Sequence, residues 1–317
     1  GTFNEVTINL RAKPDYDSPT TEQVRADVVL PWLREVVGYR PGRNNQRYVE
    51  TPRGYIWAPY LQPVAYHPNQ PVEEIPVLGD RKGMWVEITV PWVDAVLANP
   101  PAYHQWLKAR IENNKPVRFY YSQTFWVDKK KTDEDGKVYY RVNEEEFGGY
   151  DKFWARAEAF RPIQKGEVSP IRPETGDKKI VVDVRYDRQY LSCFEGNTEV
   201  YFCRISSGKK DGSTPISAYG YPIWRKLISL HMEGGTVRDG WDLPGIGWTS
   251  LFVGTGVAIH ATFWHNNFGE PMSHGCVNAR PEDAKWILRW SHPRVPYPEG
   301  DVDASGEGGT KVIVKDW

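Results

Sequence analysis

Chain-breaking residues constrain this sequence more than any other feature. Its 317 residues include 25 prolines and 28 glycines. Proline removes a backbone donor and fixes φ, and glycine is the most flexible residue, so both end regular structure. Between these breaks lie short runs rich in Val, Ile, Tyr and Trp, such as MWVEITVPWV at Met84 to Val93. Runs of that kind bounded by turn residues read as short strands, and the chain is expected to be mainly β. Its length fits two or three domains with a sizeable core.

Other function classes fall away on simple grounds. No run of about 18 apolar residues occurs, so no membrane span is expected. The net charge is −1 with Lys and Arg dispersed, which leaves no electrostatic footprint for nucleic acid. Cys193, Cys203 and Cys276 are the only cysteines. An odd number without metal-ligand spacing excludes a disulfide framework and leaves at least one thiol free. Gly1 opens directly into polar sequence; a removed signal peptide and a trimmed chain would look alike.

Three units follow from the punctuation. Residues 1–65 carry NLRAKP at Asn9 to Pro14 and close with GYIWAPYLQPV at Gly54 to Val64. This pairing resembles the bacterial Src-homology-3-like domain, which implies a small β-barrel with Tyr55, Trp57 and Tyr60 either in its core or forming a ligand platform. A Pro-rich passage leads to residues 84–163, where FWARAEAFRPI at Phe153 to Ile163 ends a second, elaborated copy of the module. Within it, Asn99 reads as the N-cap of a helix running to Asn114, and Lys129 to Lys137 as the charged tip of a hairpin. Gln164 to Lys178 reads as a linker. The third unit, 179–317, opens with a β-meander. PEDAKWILRW at Pro281 to Trp290 reads as its main helix, with Pro281 at the first position, Glu282 and Asp283 complementing the dipole, and Trp286, Ile287 and Trp290 as the buried stripe.

Chemistry concentrates in VAIHATFWHNNFGEPMSHGCVNARPEDA, Val257 to Ala284, which holds three of the seven histidines and one cysteine. A thiol near its reference pKa of about 8.5 is largely protonated at neutral pH and needs a base or cation to act as a nucleophile. His260 and His274 are the candidates for activating Cys276. In an extended segment His274, Cys276 and Asn278 would share one face around Gly275, which leaves room for close approach. Cys193 and Cys203 flank one turn and read as packing residues or a cross-strand disulfide, with packing favoured.

SHGCVN at Ser273 to Asn278, with an I-H strand sixteen residues upstream of the cysteine, resembles the L,D-transpeptidase family from about Lys179 to Trp317. The SSGKKDGSTP stretch, LPGIGW and the WHNNFG loop belong to the same likeness. The resemblance implies a β-sandwich with one main helix, with Cys276 as nucleophile and His260 as general base. A backbone carbonyl would fix the base's tautomer, and N–H groups around Gly275 and Cys276 would form an oxyanion hole. His274 and Gly275 join the catalytic set; Ser273, Asn278, Trp264, His265 and Trp248 are expected to bind substrate. The sequence departs from the usual pattern at Ala261, at Ser217 in TPIS and at Asn278, where many members carry glycine, glycine and arginine.

The activity implied is attack of the Cys276 thiolate on a peptidoglycan stem tetrapeptide. D-Ala leaves, a thioester forms, and an amine resolves it to a 3→3 crosslink. Resolution by water would make the same site an L,D-carboxypeptidase. A carbapenem is expected to acylate Cys276, and the location implied is the extracytoplasmic cell envelope. No cofactor is expected. His260, His265, His274 and Cys276 are chemically capable zinc ligands, but the resemblance carries no metal role and none is expected. A non-catalytic wall-binding protein is the remaining reading, against which the intact SHGC stands. Because every motif residue lies beyond Gln164, residues 1 to about 164 are expected to be dispensable for the chemical step.

Overall fold

The computed structural model describes residues 7–145, 147–209, 213–235, 241–305 and 308–316. It is mainly β. The first unit is a five-stranded antiparallel sheet in which Thr7–Arg11 lies between Thr20–Arg25 and Gly54–Trp57. Arg47–Thr51 and Arg34–Val37 complete it. Leu10, Val24 and Ile56 form its small core. Trp57 is buried with its indole N–H donated to the Asn45 carbonyl at 2.8 Å, whereas Tyr60 is exposed.

The second unit is a seven-stranded sheet running from Met84–Ile88 to Phe160–Pro162. The hairpin is present, pairing Thr124–Thr132 with Val138–Asn143. The helix is shorter than the sequence suggests, Gln105–Glu112 after His104. Asn99 does not cap it. Its side chain instead accepts the Lys152 N–H at 2.7 Å and donates to the Tyr150 carbonyl at 3.0 Å, binding the loop to a neighbouring strand.

The third unit is a sandwich of two five-stranded sheets. One holds Lys178–Arg185, Arg188–Glu195, Thr198–Arg204, Ser217–Pro222 and Lys311–Lys315; the other holds Arg225–Gly234, Trp241–Val253, Val257–Ala261, Val277–Ala279 and Asp301–Asp303. Period-two burial puts Ile180, Val182, Leu191, Val312 and Val314 into the core from one side. Leu227, Leu251, Ile259 and Val277 meet them from the other. Cys193 and Cys203 are buried free thiols. The register pairs Cys193 with Tyr201 and Cys203 with Leu191, so the two are not opposite one another, and burial raises both pKa values.

The helix Pro281–Trp290 buries Ala284, Ile287, Leu288 and Trp290. Trp286 is only partly buried and stacks on Tyr201 at 3.9 Å. The helix ends on two lysines. Lys226, fully buried, donates to the carbonyls of Leu288, Ser291 and Pro293, and Lys178 donates to that of Trp290. Ammonium groups at the negative end of the dipole satisfy carbonyls that have no partner within the helix.

The stretch Gln164 to Lys178 is not a free linker. It forms the short helix Lys165–Val168, Val168 enters the sandwich core, and Glu167 bridges Arg161 and Lys285. Trp85, Trp126 and Phe147 of the second unit belong to that same core. Gly300, at φ +66°, lies so close under Trp85 that a Cβ there would come within 2.0 Å of the ring. Thr124 also exchanges hydrogen bonds with Ile228 and Ser229 at 2.7 and 2.6 Å. This shared core argues against a second unit that can be removed without disturbing the sandwich.

Trp85→Ala is therefore expected to lower the stability of the third unit, not only the second, by about 3–5 kcal/mol. Denaturant unfolding followed by probes in both units checks this; a loss confined to the second unit would show that the cores are separate.

Candidate active site

The strand Val257–Ala261 runs parallel to Val277–Ala279, with Ile259 opposite Val277 and His260 opposite Asn278. This short ladder brings the upstream histidine beside the end of the SHGC turn. All five residues of VAIHA are buried.

His260 Nδ1 lies 2.9 Å from the Ala261 carbonyl oxygen. A carbonyl only accepts, so Nδ1 carries the proton and Nε2 keeps its lone pair. Burial pushes the pKa of the ring down to about 4, against the opposing pull of the Ala261 bond. The imidazole is neutral at pH 7. Cys276 is half-buried and donates its thiol proton to the Gly256 carbonyl at 3.8 Å. Burial raises the thiol pKa, with a backbone hydrogen bond from Ala258 working the other way. The two directions together favour a neutral thiol and neutral imidazole over a resting ion pair.

The turn before the cysteine is held by hydroxyl groups. Ser273 Oγ accepts the Gly275 N–H at 3.0 Å and donates to the Cys276 carbonyl at 2.6 Å. Thr214 Oγ1 donates to the Gly275 carbonyl at 2.7 Å and accepts the Gly208 N–H at 2.9 Å. Gly275 sits at φ +150°, where a Cβ would meet the Ser213 carbonyl oxygen at 2.7 Å. Any side chain would push the turn off this support. Residues 210–212 of the SSGKKDGSTP stretch lie outside the described residues.

Because 273–276 is a turn, His274, Cys276 and Asn278 do not share a face. His274 is exposed and stacks on Trp241 at 4.5 Å. Asn278 is buried, its side-chain amide 2.8 Å from His265 Nε2. His265 Nδ1 accepts the Asn267 N–H at 3.2 Å, so Nε2 carries the proton of this neutral ring. The amide oxygen of Asn278, otherwise without a partner, therefore belongs towards it. Burial, with His260 and Lys209 nearby, lowers the His265 pKa to about 3. His265 and Ser273 thus brace the site from below. Trp248 is corrected outright: at φ +56° and 1 % exposed it is a core residue, with the Lys285 ammonium 4.7 Å from its ring.

Trp264 is the expected binding residue that does face open space. Its ring lies 5.8 Å from that of His260, and it lines a cavity of about 730 Å³ at the junction of the three units. Trp32 of the first unit, Trp92 and Tyr120 of the second, and Phe263 and Arg280 of the third also line it.

Sequence reasoning missed the residues that couple the WHNNFG loop to the first unit. Glu270, 3 % exposed, accepts the N–H groups of Asn44 and Asn45 at 2.9 and 2.8 Å and the Asn267 side-chain amide at 3.1 Å. Arg47 reaches the Asn266 carbonyl at 3.1 Å. A glutamate in a polar loop carries no sequence signal of this, since its partners in the first unit lie more than 220 residues away. Thr214 was legible only as part of TPIS.

Residues 177–314 match the YkuD family model, the L,D-transpeptidase catalytic domain. The probable L,D-transpeptidase YbiS of Escherichia coli strain K12 is 29% identical over 133 residues, 37% of this chain and 43% of that protein. The match thus spans less than half the length of the curated relative. Among solved structures, the catalytic domain of the E. faecium L,D-transpeptidase is 24% identical, with a TM-score of 0.33, and covers 44% of this chain and 98% of that one. The L,D-transpeptidase LdtMt1 in complex with imipenem is 16% identical, with a TM-score of 0.34, and covers 80% of this chain and 100% of that one.

Glu270→Ala is expected to cost about 1.5–3 kcal/mol through lost hydrogen bonds to a charged group, and to speed proteolysis within residues 263–270. Glu270→Gln keeps one acceptor oxygen and should lose less. Equal behaviour of the two in thermal unfolding and limited proteolysis would show that the carboxylate does not hold the loop.

Proposed function

We propose that this chain, whose residues 177–314 are a YkuD-type L,D-transpeptidase catalytic domain, is a cysteine-dependent acyltransferase of the bacterial cell wall. The observation that carries the reading is a fixed tautomer on the strand paired with the one that follows a free, half-exposed thiol: His260 Nδ1–H is tied to the Ala261 carbonyl, which leaves Nε2 to serve as the base for Cys276. As Sγ attacks the donor carbonyl of a stem tetrapeptide, Nε2 takes the thiol proton. The carbonyl oxygen becomes an oxyanion. The Gly275 N–H is engaged by Ser273, so the Cys276 N–H is the donor assigned to that oxygen.

Collapse of the intermediate breaks the bond to the terminal D-Ala, whose amine takes the proton back from His260, and a thioester remains on Cys276. An amine of a second stem then attacks, giving the 3→3 crosslink and the free thiol; water in its place gives the L,D-carboxypeptidase outcome. The half-exposure of Cys276 suits a substrate approaching from outside, and Trp264, whose ring lies 5.8 Å from that of His260, is the residue assigned to meet it. His274 acts on the geometry of the turn through its contact with Trp241. Action on peptidoglycan places the protein in the cell envelope, with the first two units, read as Src-homology-3-like, presenting the domain to the wall. A carbapenem should form the same thioester at Cys276.

Incubation with disaccharide-tetrapeptide and mass spectrometry of the products tests the reading: a crosslinked dimer and released D-Ala are expected. Cys276→Ala should abolish both with the fold intact, while Cys193→Ala and Cys203→Ala retain most turnover. An active Cys276→Ala would remove the nucleophile from this account.

The pH dependence follows from the two shifts. Acylation needs neutral His260, so the rate should fall only as pH drops towards about 4, and should climb on the alkaline side as the raised thiol ionises. No inflection near the ordinary histidine value of about 6.5 is expected. His260→Gln should leave only the alkaline rise. Carbapenem acylation rates measured against pH check this, and an inflection near 6.5 that vanishes in His260→Gln would contradict the neutral pair.

A further inference from the structure

Acyl transfer at Cys276 gives no task to the cavity of about 730 Å³ where the three units meet. Its size and its place between units are those of a small-molecule site, which typically encloses about 300–1,000 Å³. The lining narrows what it takes in three respects.

The first is aromatic surface. Each unit contributes a ring: Trp32 from the first, Tyr121 from the second and Trp264 from the third. Trp32 and Tyr121 are only half-buried and Trp264 is 39 % exposed, so ring surface stays open to a ligand. The rings of Trp92 and Tyr120, by contrast, are taken up by Arg118 and Phe263. The second is a pair of buried polar atoms on residues that line the cavity. Thr262 is 1 % exposed, and neither its Oγ1 nor Gln62 Nε2 has a hydrogen-bond partner among the described residues. The Thr262 N–H donates to the Ala279 carbonyl at 3.0 Å, just beyond the strand that carries His260, so the backbone bearing this hydroxyl is fixed. Buried polar groups are ordinarily paired, and an amide N–H calls for an acceptor. The third is charge. Arg25, Arg280 and Lys285 stand against Asp27, Glu87 and Glu282. Asp27, Glu87 and Lys285 are already paired, with Arg118, Arg161 and Glu167. A lining so balanced is complementary to an uncharged ligand.

We propose that this cavity binds an N-acetylated amino sugar of a glycan strand. The apolar face of the sugar packs on the open aromatic rings, its acetamide carbonyl accepts from Gln62 Nε2, and a ring hydroxyl pairs with Thr262 Oγ1. An acyl chain would leave both polar groups unpaired, and a stem peptide brings carboxylates that the balanced lining does not call for. The inference rests on the reading of the chain as a cell-wall enzyme and deepens it, because glycan held between the units sets where the attached stem meets the sandwich.

The test titrates the full chain with the N-acetylglucosamine tetramer by calorimetry, and saturable binding at one site is expected. The glucose tetramer, which lacks acetamide groups, should bind at least about tenfold more weakly. Trp32→Ala should weaken binding of the acetylated tetramer about tenfold. Thr262→Val, which keeps the side-chain shape, should weaken it about three- to tenfold. Tyr186→Ala, at an exposed ring outside the cavity, should change nothing. Absence of saturable binding, an affinity unchanged in both cavity variants, or displacement of the tetramer by free stem tetrapeptide would overturn the proposal. Carbapenem acylation of the unaltered chain, followed alongside, keeps the two readings apart. A chain that binds the sugar without being acylated contradicts acyl transfer alone; one that is acylated without binding the sugar contradicts the cavity's role alone.

Discussion

A ladder of three residues holds the chemistry of this protein together. Val277–Ala279 pairs in parallel with the buried strand Val257–Ala261, with His260 opposite Asn278, so the ladder sets the upstream histidine against the strand that follows Cys276. Each end of the short strand is secured. On one side the Gly275 turn hangs from Ser273 and Thr214. On the other, the helix that follows is anchored by buried Lys226 and Lys178 at its C-terminal carbonyls. A strand too short to be stable alone is thus fixed by what precedes and follows it.

The rest of the chain contributes through contacts that are polar on one flank and apolar on the other. The first unit meets the WHNNFG loop through Glu270 and Arg47, interactions that fix the position of the loop. The second unit is different, because Trp85, Trp126 and Phe147 are buried in the sandwich core itself. Burial of three large aromatics outweighs any surface ion pair between the units. The second unit and the catalytic sandwich therefore fold as parts of one structure, and Trp264 faces a cavity to which all three units contribute.

Burial also decides the electrostatics of the site. Desolvation lowers His260 and raises Cys276, so both side chains rest neutral. Burial works on His231 in the same downward direction, but charged neighbours outweigh it. Two buried carboxylates, Glu144 and Asp242, raise its pKa to about 10. One histidine sits among carbonyls and apolar side chains, the other among charges, and the difference lies in tertiary neighbours rather than in residue type.

The sequence by itself determined the mainly β class, the hairpin, the helix Pro281–Trp290 and the SHGC stretch with its upstream histidine. Each rests on local signals: turn residues, period-two and helical burial, capping chemistry, and a motif contiguous in the chain. Only the tertiary structure decided that Trp248 is core, that Asn278 turns inward to His265, and that the supposed linker at Gln164 to Lys178 packs into the sandwich. It likewise decided that Asn99 serves a strand instead of capping a helix. These depend on partners tens to hundreds of residues distant, and on a left-handed turn at Gly275 that interrupts the alternation an extended chain would show. Local sequence encodes local periodicity and chemistry; which surface a side chain finally meets is settled when the sheets close on one another.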